Sequence, residues 1–166
     1  MTFRIRPTTL ENKAIVELIL AASYGTLLKG FYDESILASA VPFMSTAQPA
    51  LLGCGTYYIA ENGPIAGACG GWTTAVPGGS VPEDKSIAHI RHVATHPGHL
   101  RKGLARRIIE RCFSEAKTAG VARFSCFSSL AAVAFYESVG FHQVEEKSVA
   151  FKPDLIFPMM EMGMDL

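Results

Sequence analysis

The chain has no excess charge of either sign. Its 15 Lys and Arg residues balance its 15 Asp and Glu residues, for a formal net charge of zero. Generic nucleic-acid binding is therefore disfavoured, because affinity for a phosphate backbone needs a basic surface. Paired cysteines are also lacking. Cys54, Cys69, Cys112 and Cys126 stand far apart, with no Cys-x-x-Cys pair and no zinc-type His spacing. They read as free, mostly buried thiols in a reducing compartment, and no metal site is expected. Long apolar runs are absent as well. The longest patch, around Ala14 to Ala22, contains Glu17 and is too short to span a bilayer. The start, Met-Thr-Phe-Arg-Ile-Arg-Pro, carries no apolar signal core. A cytoplasmic protein with no membrane contact is expected. There is no internal repeat and no low-complexity tract, and 166 residues predict one domain, 1–166, able to bury its own core.

What is present alternates between strand and helix signals. Thr2 to Arg6 alternates polar and apolar residues and reads as a strand. Thr8 or Thr9 then caps a helix with the stripe Ile15, Leu18, Ile19 and Ala22, ending near Tyr24-Gly25. A second helix is expected over Asp33 to Ala40, and a turn of helix over Pro49 to Leu52. Thr56 to Ala60 and Ile65 to Val76 form a hairpin about Asn62-Gly63. Pro77 to Asp84 is a loop, Ser86 to Thr95 a strand and Leu100 to Ala119 a long helix closed by Gly120. A strand over Val121 to Phe127, a short helix over Leu130 to Ser138 and two final strands, Phe141 to Phe151 and Pro158 to Met164, complete the chain. This order predicts a mixed α/β domain with a parallel strand pair flanking the long helix.

The chemistry concentrates in His96-Pro97-Gly98-His99-Leu100-Arg101-Lys102-Gly103-Leu104-Ala105-Arg106-Arg107. A loop that opens a helix leaves backbone N–H groups without intrahelical partners, and the dipole adds partial positive charge there. Such a turn binds phosphate readily. Gly103 allows close approach, Arg101 and Lys102 add charge, and Ala105 keeps the next contact small. A phosphate-bearing cofactor is implied. The P-loop pattern is absent, since Gly103 is followed by Leu104 and Ala105.

A second constellation, Ser129, Ala132, Phe135, Tyr136 and Gly140-Phe141, lies downstream. Together the two segments resemble the GNAT superfamily of acetyl-CoA-dependent N-acetyltransferases. Its cofactor motif, Arg/Gln-x-x-Gly-x-Gly/Ala after a strand, stands here as Leu100-Arg101-Lys102-Gly103-Leu104-Ala105, and its Asn–Ala–Tyr–Gly-Phe pattern as Ser129, Ala132, Tyr136 and Gly140-Phe141. Ala88 to Pro97 is similar to the family's fourth strand, and the resemblance extends over nearly the whole chain. Two positions depart from the pattern. Leu100 replaces Arg or Gln, and Ser129 replaces Asn.

The resemblance implies a mixed, mostly antiparallel central sheet with a parallel strand pair at the cofactor site and helices on both faces. It implies acetyl transfer from acetyl-CoA to a primary amine of a small molecule or peptide, by direct attack in a ternary complex. Tyr136 then acts as the acid for the departing thiolate. The backbone N–H of Val93 polarises the carbonyl, and the pantetheine arm runs along Val93, Ala94 and Thr95. His89 is the candidate base, with ordered water as the alternative carrier of that proton. Strand alternation is expected to send His92 to the face opposite His89. His96 and His99 are expected as turn residues near the phosphates, and Tyr24, Phe31, Tyr32 and Trp72 as linings of the acceptor pocket. A homodimer through the apolar segment Phe157 to Met164 is one expectation; a strand buried within one subunit is the other. A non-catalytic acyl-CoA-binding sensor is the alternative function.

Overall fold

The computed structural model describes residues 2–79 and 84–166. Residues 80–83 of the loop expected over Pro77 to Asp84 lie outside the described residues. Among the described residues, seven strands form one sheet in the order β1-β2-β3-β4-β5-β7-β6. In chain order these are β1 (Arg4–Pro7), β2 (Tyr57–Asn62), β3 (Ile65–Thr73), β4 (Ile87–Thr95), β5 (Arg123–Ser129), β6 (His142–Lys152) and β7 (Leu155–Asp165). Every neighbouring pair is antiparallel except β4 and β5, which run parallel.

Helices cover both faces. The long helix α4 (Leu104–Thr118) buries Leu104, Ile108, Ile109, Cys112 and Ala116, a stripe at helical spacing. These pack on Tyr58, Ala60, Ala68, Ala88, Ile90 and Phe124 of one sheet face. The opposite face takes α1 (Lys13–Leu27) and α3 (Pro49–Leu52), whose Val16, Ile19, Leu20, Leu51 and Leu52 meet Tyr57, Ile59, Cys69 and Ala94. Further along, α2 (Glu34–Met44) sets Leu37, Ala40 and Met44 against Leu155 and Phe157. Fully burying one such Leu or Ile stabilises the fold by about 1.5–3 kcal/mol. The α5 helix (Val133–Ser138) follows β5 and buries Tyr136.

Several element ends differ from the sequence expectation, each for a local reason. The α1 helix runs past Gly25 to Leu27, because burial of Leu20, Ser23 and Leu28 outweighs a glycine cost of about 1 kcal/mol. The α2 helix runs through Pro42 to Met44, and the Ser45 hydroxyl donates to the Val41 carbonyl at 2.6 Å. The α4 helix starts at Leu104 rather than Leu100, since Arg101 (φ 63) and Gly103 (φ 71) are left-handed. The last hairpin turns at Pro153-Asp154, so β7 starts at Leu155. The β7 strand, apolar on both parities, is an interior strand between β5 and β6.

Candidate active site

The parallel register of β4 and β5 is short. It pairs Ile87 with Arg123, Ala88 with Phe124 and His89 with Ser125, and then stops. Beyond that point β4 continues against β3, while β5 continues against β7. The strands part, and the backbone of β4 beyond His89 loses its β5 neighbour.

A bulge in β4 widens the opening. Cys69 pairs with Ala94 and Gly71 with Arg91, so two steps on β3 oppose three on β4. His92 takes the strain in a left-handed conformation, φ 43. Its carbonyl oxygen accepts from the Tyr57 hydroxyl at 2.9 Å. Gly70 leaves room on β3, where a Cβ would stand 2.7 Å from Val93 Cγ2. The bulge also breaks the side-chain alternation. His92 lines a small crevice with Val16, Leu20, Leu51 and Tyr57, on the face that Ala94 also occupies. His89 lies opposite Thr73 on that same face, so the expected separation of the two histidines is corrected. Burial and the neighbouring Arg91 charge push the His92 imidazole down to about 4, and it is neutral at physiological pH.

A cleft of about 540 Å³ fills the splay. Val93, Ala94 and Thr95 form one wall, and Leu100, Arg101, Gly103, Leu104 and Ala105 form the floor at the start of α4. Ser129, Phe135 and Tyr136 form the facing wall, and Tyr24 closes the side. Of the 15-residue helix α4, the first N–H groups have no intrahelical acceptor, and they open on this floor. A Cβ on Gly103 would meet no protein atom within 4 Å, so the floor is open there. The shape and the donor-rich floor fit a long ligand with a phosphorylated end.

Tyr136 is 5% exposed, with its ring edge-on to Phe141 and Phe135. Burial, and then the adjacent Cys126, hold its phenol well above the ordinary tyrosine range. It stays protonated and is a competent proton donor. Tyr24 is shifted up as well, by burial and by Cys69 and Cys126. Burial pushes both of these thiols up to about 12, so neither is a nucleophile at neutral pH. The Tyr32 hydroxyl donates to the Pro158 carbonyl at 2.7 Å and accepts from the Leu130 N–H at 2.9 Å, which ties the β5–α5 connection to β7.

The structure does not bring every candidate to the cleft. Lys102 turns aside, with its Nζ 3.0 Å from His99 Nδ1 and 5.9 Å from the Phe3 ring centroid. Trp72 is 7% exposed on the α4 side, edge-on to Phe124, because β3 alternation groups it with Ala68. It is a core residue rather than a pocket lining. Phe31 is 53% exposed and lies in the turn after α1, away from the cleft wall. His89 sits at the point where the strands part and does not line the cleft. His96 caps its own turn, its Nδ1 accepting from the Gly98 N–H at 3.0 Å, whereas His99 does line the cleft.

Sequence reading missed Ser23, Leu27, Leu28, Ala131 and Arg106, which also line it. Helical spacing from Tyr24 would have found Leu27 and Leu28. Arg106 donates to the Ser138 hydroxyl at 3.2 Å, linking α4 to α5 across the cleft mouth.

Comparison with known proteins bears on this arrangement. Residues 56–162 match the family model described as an acetyltransferase (GNAT) domain. No curated protein gives a significant match. The GCN5-related N-acetyltransferase structure from Rhodopseudomonas palustris is similar with a TM-score of 0.76 at 17% identity, covering 100% of this chain and 97% of that chain. The PaiA N-acetyltransferase of Thermoplasma acidophilum, solved with coenzyme A, gives 0.75 at 12% identity over 100% of both chains. YncA of Salmonella typhimurium, described as a putative acetyltransferase and solved with acetyl-CoA, gives 0.66 at 17% identity, covering 100% of this chain and 95% of that one. At such identities these likenesses establish the fold. The family model spans well over half of the sequence, and on that ground the chain belongs to the GNAT acetyltransferase domain family.

Proposed function

We propose that this chain transfers an acetyl group from acetyl-CoA to a primary amine of a small molecule or peptide, by direct attack within a ternary complex. The observation that carries the reading is the meeting of two features in one cleft: the opened backbone of β4 at Val93–Thr95 and the protonated phenol of Tyr136 facing it.

Bound acetyl-CoA would supply an activated thioester carbonyl; the chain supplies the rest. The N–H groups at the start of α4, with Arg101, hold the phosphates. His96 donates its N–H to the Gly67 carbonyl on the β3 side at 2.8 Å. Strand alternation then turns the Thr95 and Val93 N–H groups toward the gap. Thr95 pairs with the pantetheine arm as an added strand would. Val93 donates to the acetyl oxygen where negative charge develops. Tyr136 gives its proton to the departing sulfur. The amine must shed a proton before attack, since an alkyl ammonium has a pKa near ~10. His89, at the base of the splay and off the cleft lining, takes that proton through water. Leu100 still offers its backbone N–H to the phosphates, and Ser129, shorter than the usual Asn, lines the same wall.

Thermal unfolding with acetyl-CoA, CoA and ATP tests the binding half of this reading. A ligand that binds only the folded state raises the midpoint. The expected result is a rise with acetyl-CoA and with CoA, and none with ATP. No rise at saturating acetyl-CoA refutes the reading.

A further inference from the structure

We propose that Tyr32 is a positioning residue for acetyl transfer: its hydroxyl, set between the ends of β5 and β7, fixes the wall that carries Tyr136. The inference deepens the acetyltransferase reading above and rests on it.

Tyr32 stands in the turn between α1 and α2 and does not line the cleft. Its ring ends a stack of four. The Phe157 centroid lies 4.3 Å from it, Phe151 lies 5.2 Å from Phe157, and Phe43 lies 5.0 Å from Phe151, all near parallel. Such packing leaves the ring little freedom. It holds the hydroxyl at the point where the β5–β7 ladder ends. The last pair of that ladder is Ser129 with Met159. One step further along the register, Leu130 stands opposite Pro158. Proline has no N–H to exchange, so a full antiparallel pair cannot form there. The Tyr32 hydroxyl takes the place of the missing rung. It accepts from the Leu130 N–H at 2.9 Å and donates to the Pro158 carbonyl at 2.7 Å. Burial holds the phenol protonated, so it can do both. The inserted oxygen sets how far β5 stands from β7 at this step, just before the chain turns into α5.

That step governs the cleft wall. Ser129, Ala131 and Ala132, on either side of Leu130, line the cleft. The Ala132 N–H donates to the Ser129 carbonyl and the Tyr136 N–H to the Ala132 carbonyl, both at 3.1 Å. Tyr136 therefore hangs from the segment that Tyr32 holds. The α5 helix has six residues and no side-chain cap, so Ser129, which replaces the family's Asn, gives it none. A helix so short takes its placement from what holds its ends. One end is held where the Phe141 N–H donates to the Tyr136 carbonyl at 3.0 Å, the other through Leu130 on Tyr32. A misplacement of about 1 Å costs about 10²-fold in rate. The Tyr32 hydroxyl thus acts on the reaction through Tyr136.

The test measures thiol release from acetyl-CoA, with a pool of primary amines, for wild type, Tyr32→Phe, Tyr136→Phe and the double variant. Tyr32→Phe keeps the stacked ring and removes the hydroxyl with its contacts to Leu130 and Pro158. It is expected to lower kcat by about tenfold or more in the wild-type background and to add little in the Tyr136→Phe background, since a residue that acts through the acid then has nothing to act on. A merely structural hydroxyl lowers both backgrounds by the same factor. Thr8→Val is the control. Thr8 Oγ1 donates to the Leu52 carbonyl at 2.8 Å, buried and away from the cleft. Its loss is expected to lower the unfolding midpoint and to leave kcat unchanged.

Backbone amide shifts of the CoA-bound protein give a second reading. Those of Ala132 to Tyr136 are expected to move in Tyr32→Phe and to stay in place in Thr8→Val. Equal losses in the two backgrounds, a kcat in Tyr32→Phe no lower than in Thr8→Val, or unmoved amides from Ala132 to Tyr136 overturn the proposal. No release by wild type with any amine defeats the acetyltransferase reading itself, whereas release unimpaired by Tyr32→Phe defeats only the positioning role.

Discussion

The Tyr57 hydroxyl donates to the carbonyl oxygen of His92 at 2.9 Å and so holds the bulge that opens β4. Tyr57 itself is 1% exposed, and burial keeps its phenol protonated. Tyr57→Phe should cost about 1–2 kcal/mol, because the His92 carbonyl loses its donor in a buried setting. Urea unfolding reads that loss. The same variant should lower kcat more than it weakens acetyl-CoA binding, since the Val93 amide is held by this bulge.

Gly70 makes the complementary contribution from β3. A Cβ there would press on Val93 Cγ2 at 2.7 Å, so Gly70→Ala must displace Val93. Overpacking of this kind costs about 1–3 kcal/mol. Calorimetric titration of CoA is expected to show weaker binding in Gly70→Ala. Unchanged affinity and activity would mean that Val93 takes no part in the site.

His92 makes stability depend on pH, and the direction follows from burial. Its folded pKa, about 4, lies below the ordinary 6.5. The unfolded chain therefore binds a proton more readily at mildly acid pH. The stabilisation is complete above pH 6.5 and is lost as the pH falls toward 4. Its size is at most about 3 kcal/mol, at about 1.4 kcal/mol per pKa unit. His92→Asn tolerates the left-handed backbone and removes the imidazole. Denaturation curves between these limits should be flatter for His92→Asn than for wild type.

Tyr136→Phe should reduce kcat by a factor of about 10² to 10⁴, the usual contribution of a positioned acid. The raised phenol pKa adds a pH signature. Activity should climb as the amine deprotonates, with no falling limb from Tyr136 within the ordinary tyrosine range. A clear decline with a midpoint below that range would show that the phenol is not held protonated.

Gly103 and Ala105 could be read from local chemistry as small residues at a helix start, whereas the acid role expected of Tyr136 came only from the resemblance, local chemistry giving no more than a buried phenol on a short helix. The parallel pair followed from element order, and the helices on both faces from the family resemblance. The bulge at His92 was not legible. A histidine with φ 43 leaves no local mark, and its cause is tertiary, in Tyr57 and Gly70 on neighbouring strands. Trp72 was misplaced for a related reason. In Ala68-Cys69-Gly70-Gly71-Trp72 the glycines hide which parity faces the core.

The central claim is transfer rather than mere binding. The most direct measurement follows thiol release from acetyl-CoA, with a pool of primary amines, for wild type and Tyr136→Phe side by side. The account predicts amine-dependent release by wild type, and a loss of about 10²-fold or more in Tyr136→Phe with acetyl-CoA binding retained. Acetyl-CoA binding without release for any amine would contradict it, and would leave a sensor in place of an enzyme.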